Sequence, residues 1–228
     1  MSEQLVNEIK DRLARLGQER IWRPVRTPSG ELLAGGMGWD EDGLPDDFGG
    51  LDFTGLSVAD IGCNLGHYSR LAAKNGASDV LGIDEDAEVV DCARLLAALH
   101  GLDNVRFTTA DVLGSDFTQT FDVTLMIDII GRGIVRKGKA GQFLDAAARL
   151  ARTAMIHTMR PEYACSELGC EEADLLAHYP ATFVRGQRFY LLEYALDRFA
   201  PLWTGHILTR ENDLGQRYKY LVRFDRKA

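Results

Sequence analysis

The sequence predicts an α/β protein built on a mostly parallel sheet with helices on both faces. Two observations carry this. Short apolar runs alternate with amphipathic helical patterns from Leu56 to His157, a series that buries a parallel sheet between helix layers. The chain then ends on two strand-like runs, "WTGHILT" and "QRYKYLVRF". A polar turn around Asn212 to Gly215 joins them closely enough for an antiparallel hairpin.

The elements follow in order. Leu5, Ile9, Leu13 and Leu16 recur at helical spacing before Gly17, so residues 2–16 are expected to form an amphipathic helix. Ile21 to Gly50 is rich in Gly, Pro and Asp. It reads as an irregular lead-in with a hairpin at Pro28-Ser29-Gly30, and long loops of this kind are often functional. Val58 to Ile61 is the first expected strand. A helix from Gly66 to Asn75 follows, turning Tyr68, Leu71 and Ala72 inward and ending at Gly76. Val80 to Ile83 is the second strand, and Ala87 to His100 a helix with Val89, Ala93 and Leu96 on one face. Val105 to Thr108 and Val123 to Ile127 are the third and fourth strands. Ala140 to Ala151 is a helix with Phe143, Leu144, Ala147 and Leu150 inward, and Ala154 to His157 the fifth strand. A helix near Arg188 to Phe199 precedes the hairpin. The chain thus divides into a lead-in, residues 1–50, and one domain, residues 51–228. Within that domain residues 160–187 form a long insertion expected to cover a substrate site.

A chain of 228 residues suits one such domain with an appendage, and 46% hydrophobic with 26% charged residues is an ordinary globular composition. The formal net charge of -8 argues against a dedicated nucleic-acid coat protein but leaves room for a local basic patch. The N-terminus has acids where a signal peptide is basic, and no apolar run approaches the roughly 18 residues of a membrane span. A cytoplasmic protein with no membrane partner is expected. Cys63, Cys92, Cys165 and Cys170 lack zinc-type pairing, so free thiols and no metal are expected.

Ligands of open α/β sheets sit at the carboxyl ends of the strands, where strand order reverses. The first strand ends on Asp60 and runs into a loop with Gly62, Asn64 and Gly66, residue types that let backbone approach a ligand or adopt left-handed turns. The next strands end on Asp84, Asp111 and Asp128. An acid at the second strand accepts ribose hydroxyls, and a carboxylate at the third takes an amine hydrogen of a base. Four acids at one edge fit a positively charged nucleoside better than a pyrophosphate, which Asp60 and Asp128 would repel. The glycine spacing also departs from the dinucleotide fingerprint, since Gly62, Asn64 and His67 occupy the three glycine positions.

"VADIGCNLG", "VLGID" and "TTADVL" in series, with the terminal hairpin, resemble the S-adenosylmethionine-dependent methyltransferases of Rossmann-like fold. The resemblance runs from about Leu51 to the C-terminus. It implies a seven-stranded mixed sheet with an antiparallel last strand, here with an N-terminal helical extension. It further implies that Asp60 and the loop Gly62, Cys63, Asn64 and Gly66 line the methionine part of the cofactor. Asp84, with Glu85 beside it, would bind the ribose. Asp111 and the backbone of Val112 would bind the adenine, and Asp128 would face the methionine amine or the substrate. A looser similarity links "RTPSGELLAGGMGWDEDGLP" to bacterial methyltransferases related to the tRNA wobble-uridine carboxymethoxy group. The Tyr-His pair expected after the fourth strand is replaced by "DIIGRG".

Methyl transfer needs its reactants oriented, and a general base when the nucleophile carries a proton. His67 beside the loop and His157 at the end of the fifth strand are the candidate bases, each weighed against a structural role. Ile129 to Leu144 holds Arg132, Arg136, Lys137 and Lys139 and no acid, and Arg132 is the candidate clamp for a carboxylate or phosphate. The expected acceptor is therefore a small, anionic metabolite offering O or N. A tRNA nucleoside and a non-catalytic cofactor-binding role stand as alternatives. A nicotinamide oxidoreductase is disfavoured by the glycine spacing and the hairpin. The N-terminal helix is read either as a lid over the cofactor or as packing, and nothing in the sequence fixes an oligomeric state.

Overall fold

The computed structural model describes residues 3–37, 44–114, 117, 119–209 and 218–228, so the turn expected at Asn212 to Gly215 lies outside the described residues. The chain begins with α1 (Glu3–Leu16), β1 (Val25–Arg26), β2 (Leu32–Ala34) and α2 (Leu44–Gly49). The alternating series is β3 (Ser57–Ile61), α3 (His67–Lys74), β4 (Asp79–Asp84), α4 (Ala87–Leu99), β5 (Val105–Thr109), β6 (Phe121–Met126), α5 (Arg132–Arg136), α6 (Ala140–Leu150) and β7 (Ala151–Met159). The insertion holds β8 (Tyr163–Ala164), α7 (Cys165–Leu168), α8 (Glu172–Leu176), β9 (Val184–Arg185) and β10 (Arg188–Phe189). Then come α9 (Leu191–Phe199), β11 (Trp203–Ile207) and β12 (Tyr220–Arg226).

Seven strands form one sheet in the order β11-β12-β7-β6-β3-β4-β5. β3 to β7 pair in parallel, while β12 is antiparallel to both β7 and β11. The expected mixed sheet with its terminal hairpin is the observed one. β3 pairs with β4 on one side and β6 on the other, so strand order reverses there and opens a crevice at the carboxyl ends.

Alternation along each strand builds two cores. Ala59, Ile61, Leu81 and Ile83 pack with Leu144, Ala147 and Leu150 of α6. Val58, Val80 and Leu125 pack on the other face with Ala72 of α3 and Val90, Ala93 and Ala97 of α4. The buried stripe of α1, Val6, Ile9, Leu13 and Leu16, joins Val89, Cys92, Leu96 and Leu99 of α4 in a third cluster. The N-terminal helix therefore packs on the domain and does not cover the crevice.

Some boundaries differ from expectation. β1 and β2 pair around Pro28-Ser29-Gly30 as expected, with the Gly30 N–H donating to the Thr27 carbonyl at 2.9 Å. β7 starts at Ala151, directly after α6, and runs to Met159. α9 starts at Leu191 because Arg188 and Phe189 are taken up by a small antiparallel sheet, β8-β10-β9. Two-residue strands carry too little alternation to be seen in sequence. Among the described residues no helix is long and apolar enough to cross a membrane, and no His, Cys, Asp or Glu group is placed to hold a metal ion.

Candidate functional site

The loop after β3 curls through three left-handed residues, Gly62 (φ 67), Asn64 (φ 48) and Gly66 (φ 71). The left-handed φ at Gly62 favours glycine, and a Cβ there would also have to displace the tip of the Ile129 side chain, 2.0 Å away. The curl aims the Asn64 N–H at Asp84 Oδ2 (2.9 Å), and the Asp86 N–H donates to Asp84 Oδ1 (3.0 Å). Two backbone donors thus fix this carboxylate at the mouth of a cavity of about 220 Å³. Asp84, Glu85 and Asp111 give it an acidic side, while Ile129, Ile134 and Phe143 give it apolar walls. Val112 lines it too, and the Asp111 carboxylate accepts the Leu113 N–H at 2.8 Å.

Asp128, two residues beyond β6, is also left-handed (φ 62). Its N–H donates to Thr158 Oγ1 at 2.7 Å. Its carboxylate accepts from Arg23 Nη2 (2.6 Å) and Lys219 Nζ (2.5 Å). Burial alone would raise its pKa, but Lys219 and Arg23 outweigh burial and hold it below the ordinary value. Arg23 belongs to the lead-in, which is tied down at neighbouring points. Asn64 Nδ2 donates to the Arg20 carbonyl (2.9 Å), its Oδ1 accepts the Trp22 N–H (3.3 Å), and the Arg20 guanidinium pairs with Asp86 and Glu88. Between lead-in and loop only a neck of about 20 Å³ remains, lined by Trp22, Arg23, Gly62, Cys63, His67 and Asp128 among others.

Beyond the neck a third cavity, about 360 Å³, is lined by Trp22, Asp128, Arg132, Arg160, Tyr163, Tyr218 and Lys219, with neighbouring backbone. Gly62 lines both the first cavity and the neck, and Trp22 and Asp128 line both the neck and the third cavity. The three spaces are thus consecutive along the carboxyl edge of the sheet.

Three expected site residues are placed elsewhere. His157 is completely buried, with its ring 5.7 Å from that of Phe224 and 6.1 Å from that of Phe199. Neither ring nitrogen has a hydrogen-bond partner among the described residues, and burial pushes its pKa down to about 3. It is a neutral core residue, because β12 and α9 cover the face that β7 turns toward them. Asp60 points with Val58 to the α3 face rather than to the crevice, and Ser69 Oγ donates to it at 2.6 Å. Burial pushes Asp60 up to about 7, and the Ser69 hydroxyl offsets this only in part. Gly66 caps α3 and lines no described cavity; a Cβ there would lie 2.5 Å from the Phe107 ring. His67 does reach the neck, but burial, then Arg70 and Arg23, push its pKa down to about 3, so it is neutral. The buried Cys63 thiol is pushed well up. Sequence reasoning missed Arg23, Lys219 and Arg160. Arg23 and Lys219 lie far from the motifs in sequence, and Arg160, just past β7, has no local pattern that marks it.

Asp60 yields a pH prediction. An acid whose folded pKa lies above its unfolded value near 3.8 holds an extra proton when folded, so stability is greatest below about pH 4 and is lost as pH rises to about 7. The loss amounts to at most roughly 4 kcal/mol. Asp60→Asn mimics the protonated form and is expected to remove this slope, gaining stability over wild type at pH 8 but not at pH 4. Urea midpoints at both values check this, and parallel pH profiles would refute it.

Residues 52–216, more than half of the chain, match the family model described as "Methyltransferase domain". The chain belongs to the methyltransferase domain family, whose cofactor is S-adenosylmethionine. Among curated relatives, it is 39% identical over 84 residues to a tRNA U34 carboxymethyltransferase of Desulfotalea psychrophila, covering 35% of this chain and 25% of that protein. It is 36% identical over 110 residues to the rRNA N(6)-adenosine-methyltransferase Mettl5 of Drosophila melanogaster, covering 46% and 50%. The chain thus aligns with a quarter to a half of the length of these relatives. The fold is similar to the N-terminal domain of EvdMO1 with SAH bound, with TM-score 0.63, 20% identity and 100% and 98% of the two chains covered. It is also similar to magnesium protoporphyrin IX methyltransferase from Synechocystis with bound SAH, with TM-score 0.51, 16% identity and 82% and 80% covered.

Proposed function

We propose that the chain transfers the methyl group of S-adenosylmethionine to an O or N nucleophile of a small anionic metabolite. The observation that carries this is the sequence of spaces along the sheet edge: an acid-sided cavity, a narrow neck at Asp128, then a cation-lined cavity. In this reading Asp84 and Glu85 hold the ribose, and Asp111 with the Val112 backbone holds the adenine between apolar walls. The Gly62 to Gly66 loop and Asp128 hold the methionine half, and Arg132 faces the acceptor. The donor set of the first cavity fits an adenosine as it stands. The neck has room for about one water, so the lead-in must draw Arg23 back from Asp128 to admit the methionine half.

When bound, the cofactor supplies an electrophilic methyl group. The protein's own residues have the task of orientation, which offsets the largest part of such a barrier. His67 is too weakly basic to take a proton near neutral pH. The Tyr163 hydroxyl donates to the Ile130 carbonyl (2.8 Å) and is pushed up by burial. These placements favour an acceptor that is already a nucleophile, such as a carboxylate or an unprotonated amine. We also place the protein in the cytoplasm, in keeping with its four free thiols.

Action on a tRNA nucleoside is the second reading. It is favoured by the exposed basic residues Arg132, Arg136, Lys137 and Lys139, and by the RNA substrates in the names of two relatives. Calorimetric titration with S-adenosylmethionine and, separately, NAD tests the first premise. Binding of S-adenosylmethionine alone supports the proposal, and binding of NAD alone overturns it. Transfer of label to RNA but to no small acid, with binding that falls steeply with salt, would replace the acceptor by RNA. Cofactor binding with no turnover on any acceptor would point to a sensor.

A further inference from the structure

We infer that Arg160 is the anion anchor of the acceptor, binding a carboxylate or phosphate oxygen in the cavity beyond Asp128; this rests on the proposed reading of that cavity as the acceptor site. Arg160 follows β7 directly, so the sheet itself positions it. Its guanidinium carbon lies 3.7 Å from the Tyr218 ring centre and 4.4 Å from that of Tyr163. Stacking on two rings fixes a guanidinium plane without using its N–H donors. The side chain is only 10% exposed. Nη2 is held by Glu167, at 3.0 Å from Oε1 and 3.2 Å from Oε2. Nη1 is buried and has no hydrogen-bond partner among the described residues. A buried charged donor with no acceptor is costly and calls for a partner that the described residues do not provide.

The surroundings specify that partner. Among the described residues the cavity lining holds three cations, Arg132, Arg160 and Lys219, against one acid, Asp128, in a protein whose formal net charge is -8. Lys219 already spends its charge on Asp128, as does Arg23. Arg132 is exposed and has no ion pair among the described residues. Arg132 therefore offers a positive charge without an ion pair among the described residues, and Arg160, paired with Glu167 through Nη2, offers the free Nη1 donors that a ligand oxyanion completes. Trp22, Tyr163 and Tyr218 supply flat apolar surface for the rest of the molecule, and about 360 Å³ suits a ligand of metabolite size.

The test uses benzoate and inorganic phosphate as separate probes, titrated calorimetrically at constant ionic strength set by chloride. Wild-type protein is expected to bind at least one saturably. Arg160→Met keeps the bulk and removes the charge, and is expected to weaken binding at least tenfold. Arg160→Lys keeps charge but loses the planar fork and should fall between. Arg132→Ala, at an exposed position, is expected to weaken binding severalfold. S-adenosylmethionine affinity should be unchanged in all three. Equal probe binding by wild type and the Arg160 variants, or no saturable binding of either anion, overturns the assignment. If Arg160→Met fails to fold, Arg160→Lys and Arg132→Ala carry the same comparison. Anion binding that depends on Arg160 in a protein that ignores S-adenosylmethionine would leave this site standing and remove the methyltransferase reading instead.

Discussion

Asp84→Ala is expected to weaken S-adenosylmethionine binding by roughly 100-fold or more while the protein stays folded. A hundredfold loss is about 2.7 kcal/mol, less than two hydrogen bonds to a charged acceptor at about 1.5–3 kcal/mol each. The substitution also frees the Asn64 and Asp86 N–H groups that now hold the carboxylate. The glycine loop loses its tie to β4 in the same step. The fold should survive because Asp84 is half-buried at the end of its strand, and the β4 pairings to β3 and β5 are made by backbone. Asp84→Asn keeps the shape and one acceptor oxygen, so it should lie between. Glu85→Ala, at an exposed residue of the same cavity, should cost only a few-fold. Calorimetry on the three variants, with circular dichroism as the folding control, decides. Near-wild-type affinity in Asp84→Ala would end the ribose assignment.

Much of this edge was legible in the sequence because a buried parallel sheet leaves local signals. Val58, Val80 and Val123 are apolar since both faces of their strands are covered, and the acids that follow mark where the strands reach solvent. Asp84, Asp111 and Asp128 accordingly line cavities. Asp60 shows what that reading lacked: it shares a side with Val58, so alternation already turned it toward α3. His157 looks like an edge residue in the sequence because the rings that pack on it, Phe199 of α9 and Phe224 of β12, come much later in the chain. The lead-in stands out in the sequence by its composition, but its contacts do not. Arg23 and Asp128 are 105 residues apart, and Lys219 and Asp128 are 91 apart, so no local pattern joins them. The insertion was recognised by length alone. Its short strands and the aromatic pair around Arg160 arise from tertiary contact.

Asp128→Asn is expected to lower stability by about 3–5 kcal/mol, the range for removing one partner of a buried ion pair. At roughly 2–4 °C per kcal/mol for a chain of this size, the melting temperature should drop by about 6–20 °C. Side-chain exposure is 10% for Asp128 and 5% for Arg23, so that pair is poorly screened, whereas Lys219 at 29% regains water more easily. The low end of the range is therefore expected if Lys219 swings outward. Combining Asp128→Asn with Arg23→Met removes both partners of the pair, and a double-mutant cycle reads their coupling directly. The acid limb gives a second check. Asp128 has a folded pKa below its unfolded value, so its contribution is present above about pH 4 and is lost as pH falls through the folded value. That sign is opposite to the Asp60 effect, which acts between about pH 4 and 7. In wild type the Asp60 slope should dominate above pH 4 and the Asp128 slope below it, and each single variant should erase only its own limb. An unchanged melting temperature in Asp128→Asn would mean that Arg23 and Lys219 gain nothing from the carboxylate. The lead-in would then be held over the neck by its other contacts, among them those of Asn64 and the Arg20 ion pairs.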